Sequence, residues 1–292
     1  MANSNYTLTA SHYLLPLQDM SCADEVLLRL HSAIEAGLQA GHTLRTFYTD
    51  HCFGVYHKGE IDMVTDADLA SERIILETIS RDYSDAIFLS EETHASLGYE
   101  TGEFWVIDPL DGTTNFAHGF PWFAISIACV MQGEVVAGLV YLPLQNELFY
   151  AVRGGGAWLN GTRIRVSSTH RLAHALLATG FPYDVHQEHT QVIAALQAVL
   201  IQVQGVRRAG AAAIDLVYVA CGRLDGFWEI KLKPWDTAAG VLILKEAGGR
   251  VSLFGEEPYS MFSKEILATN GLLHQELSRI LRDFRAYDTF RR

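Results

Sequence analysis

The chain has 292 residues, of which 49% are apolar. That is enough for a sizeable core in one large α/β unit or two joined subdomains. The net charge of −12 argues against a nucleic-acid backbone as the default partner, which needs clustered Lys and Arg. It does not exclude an anionic substrate, because bound cations invert a local field. Cys22, Cys52, Cys129 and Cys221 form no C-x-x-C pair, which points to reduced thiols rather than a disulfide framework or zinc site. The first twenty residues lack the basic-then-apolar order of a signal peptide. No apolar stretch reaches the ~18 residues of a membrane span. The expected location is the cytoplasm, with no membrane partner.

Residues 1–21 read as a loose N-terminal extension. Ser21 and Asp24 have the spacing of a helix start, and Val26, Leu30, Ile34 and Leu38 predict a long amphipathic helix with no clear end near Phe47. Val55 to Val64 reads as a hairpin with its tip at Lys58-Gly59-Glu60. Thr65 to Tyr83 is a second helix, with Thr65 and Asp68 at capping spacing and Leu69, Leu76, Ile79 and Tyr83 as its inner stripe. Ala86 to Leu89 is a short strand leading into Glu91.

The stretch from Trp105 to Pro121, WVIDPLDGTTNFAHGFP, carries the most chemistry. Phe104 to Ile107 suits a buried strand. It is expected to stop at Asp108, because Pro109 bars continuation as a central strand. Asp111, Gly112, Thr113 and Thr114 follow. Two carboxylates, a free backbone and two hydroxyls therefore leave one strand end together, where α/β proteins place their sites. Crowded carboxylates repel and burial raises their pKa. A hard divalent cation such as Mg²⁺, Mn²⁺ or Ca²⁺ removes both penalties. Asp, Pro, Gly and Thr are also ordinary turn residues.

A β-rich region comes next. Phe123 to Met131 and Val135 to Leu142 are joined through Gln132-Gly133-Glu134, then come Glu147 to Arg153 and a hairpin at Asn160-Gly161. Short links imply an antiparallel sheet. From Leu172 strands and helices alternate: strands at Leu176–Thr179, Val206–Arg207, Leu224–Ile230, Arg250–Phe254 and Ile266–Ala268; helices at His189–Leu200, Gly210–Cys221, Asp236–Ala247 and Leu272–Phe284. His118, His186 and His189 read as surface residues. Arg207-Arg208 reads as an ion-pair or interface feature, and Phe116 to Phe123 as core.

The run DPLDGTTNF resembles the signature of the inositol monophosphatase family of Mg²⁺-dependent phosphatases. PWDTAAGVLILKEAGG, from Pro234 to Gly249, resembles its second signature, and Ser90-Glu91-Glu92 its acidic pair. Order and spacing agree over nearly the whole chain from Cys22. The resemblance implies an α+β or α/β layered αβαβα sandwich of the inositol monophosphatase and fructose-1,6-bisphosphatase type. Residues 22–168 would carry the main metal site and 169–292 would complete it.

Carried over by position, Glu91, Asp108, Asp111, Asp236 and the Leu110 carbonyl would hold Mg²⁺, with Asp108 bridging two ions. Thr113, Asp68 and Glu91 would serve the attacking water. Gly112, Thr113, Ala212 (with Ala211), Glu229 and Asp236 would contact substrate. Other readings stay open at this point. Asp68 and Asp236 suit helix caps, Glu91 and Glu229 suit solvated strand-end acids, and Ala211-Ala212 suits close helix packing. The implied substrate is a small phosphorylated polyol or sugar, first myo-inositol 1-phosphate. Alternatives are fructose 1,6-bisphosphate, NADP, a 3′-phosphoadenylate, histidinol phosphate, or a regulatory binding role on the same fold. Lithium sensitivity and a homodimer also follow from the resemblance.

Overall fold

Apolar periodicity sorts the chain into elements that stack as five layers. The computed structural model describes residues 9–14, 17, 24–57, 59, 63–93 and 102–289. Ser21, Cys22, Lys58 and Glu60 lie outside them.

Helix α1 (Ala10–Leu14) corrects part of the expected loose extension. Tyr13 is buried edge-on to Tyr150, 6.2 Å between ring centres, and the Tyr150 hydroxyl donates to the Tyr13 carbonyl. One aromatic contact, one hydrogen bond and a buried Leu17 tie this segment down. Helix α2 (Asp24–Asp50) buries Leu30, Ala33, Ile34 and Leu44. Strands β1 (Val55–His57) and β2 (Met63–Thr65) pair antiparallel.

Helix α3 (Asp66–Asp82) starts in a capping box between Thr65 and Asp68. Its buried face includes Asp68, Ser71, Glu72, Ile75 and Ile79; of the expected stripe Ile79 is buried and Leu76 and Tyr83 pack against the core, but Leu69 is 47% exposed. The amphipathic pattern misleads here because polar residues of this helix face inward.

The first sheet holds β3 (Phe88–Ser90), β4 (Glu103–Asp111), β5 (Ala124–Met131), β6 (Glu134–Leu142), β7 (Glu147–Val152), β8 (Ala157–Leu159) and β9 (Thr162–Ile164), in that spatial order. Only β3 and β4 run parallel. Strand β4 continues through Pro109 to Asp111, contrary to the expected stop. Its register against β5 shifts between Asp108 and Asp111, and a bulge tolerates a residue without an N–H. The helix α4 (Thr113–Ala117) follows at once. Phe116 and Phe123 are core, but Phe120 is 51% exposed. Asn160 and Gly161 have φ of 48° and 81°, the left-handed pair of a tight hairpin.

The second half runs β10 (Leu176–Thr179), α5 (Val185–Leu200), β11 (Gly205–Arg207), α6 (Ala212–Ala220), β12 (Gly226–Ile230), α7 (Pro234–Glu246), β13 (Arg250–Ser252), β14 (Glu265–Thr269) and α8 (His274–Thr289). Its five-stranded sheet has the order β11-β10-β12-β14-β13, with β10 parallel to both its neighbours.

Strand β5 shows how the layers separate. Ile125, Ile127 and Cys129 join the core with α1, α2 and α3. Ala124, Ala128 and Val130 join the core with α6, α7 and the second sheet, as a period of two requires. Helices α5 and α8 cover the far face, on Leu177, Trp228 and Leu267. The result is an αβαβα sandwich. Helix α7 is buried from Trp235 to Leu244 except at Asp236, as a helix between two sheets must be.

Candidate active site

A cleft of about 530 Å³ opens where the bulge of β4, the turn after β3, the starts of α6 and α7, and the ends of β10 and β12 meet. Glu91, Asp108, Asp111, Thr113, Glu229 and Asp236 all line it. Five of these six are carboxylates from separate parts of the chain, brought together by the folding of both halves.

Each aspartate is held by a backbone donor. Asp108 Oδ1 accepts the Leu110 N–H at 3.0 Å. Asp111 Oδ2 accepts the Ala213 N–H at 2.7 Å. The first turn of α6, expected to face substrate, thus also clamps a carboxylate through a free helix-terminal donor. Asp236 is not the cap of α7. Lys233 is, and Asp236 sits at the third helical position, where its Oδ2 accepts the Lys233 N–H at 2.6 Å.

Glu91 lies in the turn after β3, and its N–H donates to the Ile107 carbonyl at 3.2 Å. Glu72 shapes that turn and was not singled out in the sequence. Its Oε1 accepts from the Ser90 hydroxyl and from the N–H and hydroxyl of Thr93, the last two at 3.2 and 3.3 Å. The available signal was its place four residues after Asp68, on the same helix face.

The charges are in conflict. Burial first, then Glu91, Asp111 and Asp236, push the Asp108 carboxyl well above its ordinary range. Burial raises Asp111 to about 7, with Glu91 adding to the rise and the Ala213 N–H opposing it. Burial also raises Asp236 to about 7, against the Lys233 N–H and with Asp111. Among the described residues no three such groups already stand close enough to clasp an ion. The conflict, and donors that are all oxygen, fit a hard divalent cation.

Behind the carboxylates sits a buried pair. The Thr113 hydroxyl lies 2.8 Å from Asp68 Oδ1 and 3.0 Å from the Leu110 carbonyl. Asp68 Oδ2 accepts from the Thr65 N–H at 2.7 Å and the Thr65 hydroxyl at 2.6 Å. Asp68 therefore caps α3 and holds Thr113 at once. Gly112 caps α4 at φ 95°, and a Cβ there would meet the Trp122 carbonyl at 2.9 Å, so the turn admits only glycine.

Glu229 is buried at the end of β12, which excludes the solvated reading. Burial raises its carboxyl well above the usual range, Asp236 and Asp215 add to this, and Arg208 opposes it. Arg208 lines the cleft with its guanidinium 5.1 Å from the centre of the Phe181 ring, a cation–π contact. Asp215, a lone acid in the apolar run of α6, is also buried and gave no signal beyond that contrast. Asn115, equally unmarked, donates through Nδ2 to the carbonyls of Trp122 at 2.8 Å and Ala209 at 2.9 Å, which ties the two halves of the rim together. Ala211 and Ala212 line the cleft. His118, His186 and His189 are exposed.

The chain is thus a layered αβαβα sandwich with a carboxylate-lined cleft between its halves. The chain belongs to the inositol monophosphatase family, whose description matches residues 27–288. It is 46% identical over 254 residues to an inositol-1-monophosphatase of Synechocystis, covering 86% of this chain and 88% of that one. It is 42% identical over 255 residues to the Nus factor SuhB of Escherichia coli, covering 87% and 96%. Among solved structures, the extragenic suppressor protein suhB of Bartonella henselae superposes with a TM-score of 0.83 at 41% identity, covering 87% of this chain and 98% of that one. No helix among the described residues is long and apolar enough to cross a membrane.

The raised carboxyls predict an unusual pH dependence of stability. Asp111 and Asp236 go from the ordinary 3.8 to about 7 on folding, so the metal-free folded state holds extra protons between those values. Their contribution to stability is full below the unfolded value and is lost as pH rises through about 7. In chelator, the melting temperature should fall from about pH 5 to about pH 8. A divalent cation should raise it more at the higher pH, because it takes the place of those protons. Thermal unfolding across that range checks this, and a melting temperature that climbs in chelator would contradict it.

Proposed function

We propose that the chain is a Mg²⁺-dependent phosphomonoester hydrolase acting on a small phosphorylated polyol, with myo-inositol 1-phosphate as the first candidate. The observation that carries this reading is the convergence of Glu91, Asp108, Asp111 and Asp236 on one cleft beside the buried Thr113–Asp68 pair. Those four carboxylates and the Leu110 carbonyl would hold the cation. When bound, Mg²⁺ supplies Lewis acidity toward a water molecule and toward the phosphate oxygens.

The chain's own groups would do the rest. Asp68 Oδ1 accepts the hydrogen bond of the Thr113 hydroxyl, which leaves the Thr113 oxygen able to serve the cleft as an acceptor. A water there would donate to Thr113 and turn a lone pair toward phosphorus, a general-base arrangement with Asp68 as orienting group. The backbone N–H groups of Gly112 and Thr113 would donate to phosphate oxygens, and the small Ala212 allows close approach. Glu229, at the end of β12, would accept hydrogen bonds from polyol hydroxyls. The name of the Escherichia coli relative favours a second reading, a regulatory binding protein, but that reading leaves the buried carboxylates without a task. Family membership also supports a homodimer in the cytoplasm.

Phosphate release from a panel of phosphomonoesters, with and without Mg²⁺, tests the proposal. Absence of Mg²⁺-dependent release from every ester would refute it. Asp236→Asn removes a ligand charge, and since metal electrostatics contribute several kcal/mol, turnover should drop at least about a hundredfold while the Mg²⁺ requirement rises. Titration of activity against Mg²⁺ reads both effects, and near-normal activity at low Mg²⁺ would clear Asp236 of this role.

Thr113→Ala should lower kcat by roughly 10²–10⁴ with much less change in KM, because the hydroxyl acts on the water rather than on the substrate. A variant altered mainly in KM would place Thr113 in binding instead.

With a bound divalent cation offsetting the burial that raises the free carboxyl, Glu229→Gln should raise KM for the polyol phosphate by about ten- to a hundredfold, the worth of a hydrogen bond to a charged acceptor. The bonds change little during P–O cleavage, so kcat should move less. An aryl phosphate, which has no hydroxyls, serves as comparison. Equal effects on both esters would mean that Glu229 is structural or acts on the chemistry itself.

A further inference from the structure

Gly180 follows β10 directly, and Glu229 is the penultimate residue of the neighbouring strand β12. The two strands are parallel, with Thr179 paired to Trp228, and the Thr179 hydroxyl donates to the Trp228 carbonyl at 2.8 Å. Both chains thus arrive at the cleft side by side at their carboxyl ends. A Cβ built on Gly180 would lie 2.0 Å from Glu229 Oε2, 2.2 Å from its Cδ and 2.2 Å from its Oε1. No other group comes nearer. The Glu229 carboxyl therefore rests on the bare Cα of Gly180.

Nothing in the backbone explains this glycine. Its φ lies outside the left-handed region, so alanine would be tolerated as far as the main chain is concerned. The three atoms nearest to that Cβ all belong to one side chain. Glu229 cannot yield freely either. It is buried, its strand is paired on both sides by β10 and β14, and the like charges of Asp236 and Asp215 bear on it while Arg208 attracts it. A methyl group at position 180 would have to drive the carboxyl more than about 1 Å from its place, a misplacement large enough to matter for recognition.

We propose that Gly180 is a positioning residue. By having no side chain it seats the Glu229 carboxylate where it meets hydrogen-bond-donating hydroxyls of the substrate, and so sets the cleft's preference for polyol phosphates over esters without hydroxyls. The inference rests on the function proposed above.

The test is a double-mutant cycle in the full chain with saturating Mg²⁺. kcat and KM for myo-inositol 1-phosphate and for p-nitrophenyl phosphate are measured in the parent, Gly180→Ala, Glu229→Ala and the double variant. The readout is the ratio of kcat/KM for the polyol ester to that for the aryl ester. Gly180→Ala should lower the ratio by about tenfold, chiefly through KM for the polyol ester, which corresponds to the loss of one charge-assisted hydrogen bond. In the Glu229→Ala background the same substitution should move it by less than about twofold, because the two residues act as a unit.

A fall of equal size in both backgrounds, or no fall in either, overturns the proposal. If Gly180→Ala does not fold, folding restored by Glu229→Ala shows the clash directly, and a double variant that also fails to fold overturns the positioning role. If the parent hydrolyses neither ester with Mg²⁺, the phosphatase reading and this inference both fall. If the parent hydrolyses both and only the cycle disagrees, the positioning role alone is lost.

Discussion

Like charges buried at one strand end are the constraint on which the rest of this structure depends. Asp108 and Asp111 enter the interior on the same bulge, and Glu91 and Asp236 meet them there. Unpaired ionised carboxylates in such a place would cost several kcal/mol each. The fold meets this cost first with backbone N–H donors, from Leu110, Ala213 and Lys233. Two of the three sit at the starts of α6 and α7, where unsatisfied N–H groups and the positive end of the helix dipole both favour an anion. Protonation, or a cation, must do the remainder.

That arrangement explains features which look unrelated. Helix α3 turns a polar face inward because Asp68, Ser71 and Glu72 each brace a different part of the site. Asp68 holds Thr113, Ser71 donates to the Pro109 carbonyl at 2.7 Å, and Glu72 holds the turn that carries Glu91. Pro109 in the bulge has the same logic. A residue without an N–H breaks the ladder just where two carboxylates must leave the sheet plane, and its carbonyl is answered by a helix side chain instead of a strand.

The parts of this design that repeat at short range were legible in the sequence. The hairpin at Asn160-Gly161, the capping of α3 by Thr65, and the apolar runs of β5 and β6 all show in local pattern, and the family signatures pointed to Asp108, Asp111 and Asp236. What was not legible depends on contacts across the chain. Asp111 meets Ala213, 102 positions away, and no periodicity reveals that. Glu72 looks like a solvated helix acid until its partners are known. Amphipathic reading places Leu69 inward because it assumes that apolar residues alone define the buried face, whereas α3 buries Asp68, Ser71 and Glu72 beside Ile75 and Ile79. The docking of Tyr13 on Tyr150 likewise needs a partner far along the chain.

The separation of charge and recognition within one cleft has a chemical consequence. Phosphate-monoester hydrolysis needs up to about 10²¹-fold acceleration, and one general base supplies roughly 10²–10⁴. Under the proposed function most of the rate must come from the carboxylate cluster and the ion it holds, which act on the phosphate and are indifferent to the alcohol. Under the same reading the alcohol meets Glu229, on β12 of the second sheet, whose carboxyl is itself electrostatically linked to Asp236 and Asp215. A single fold can serve many phosphomonoesters on this reading, because the metal site acts on the phosphate common to all of them and does not fix the alcohol.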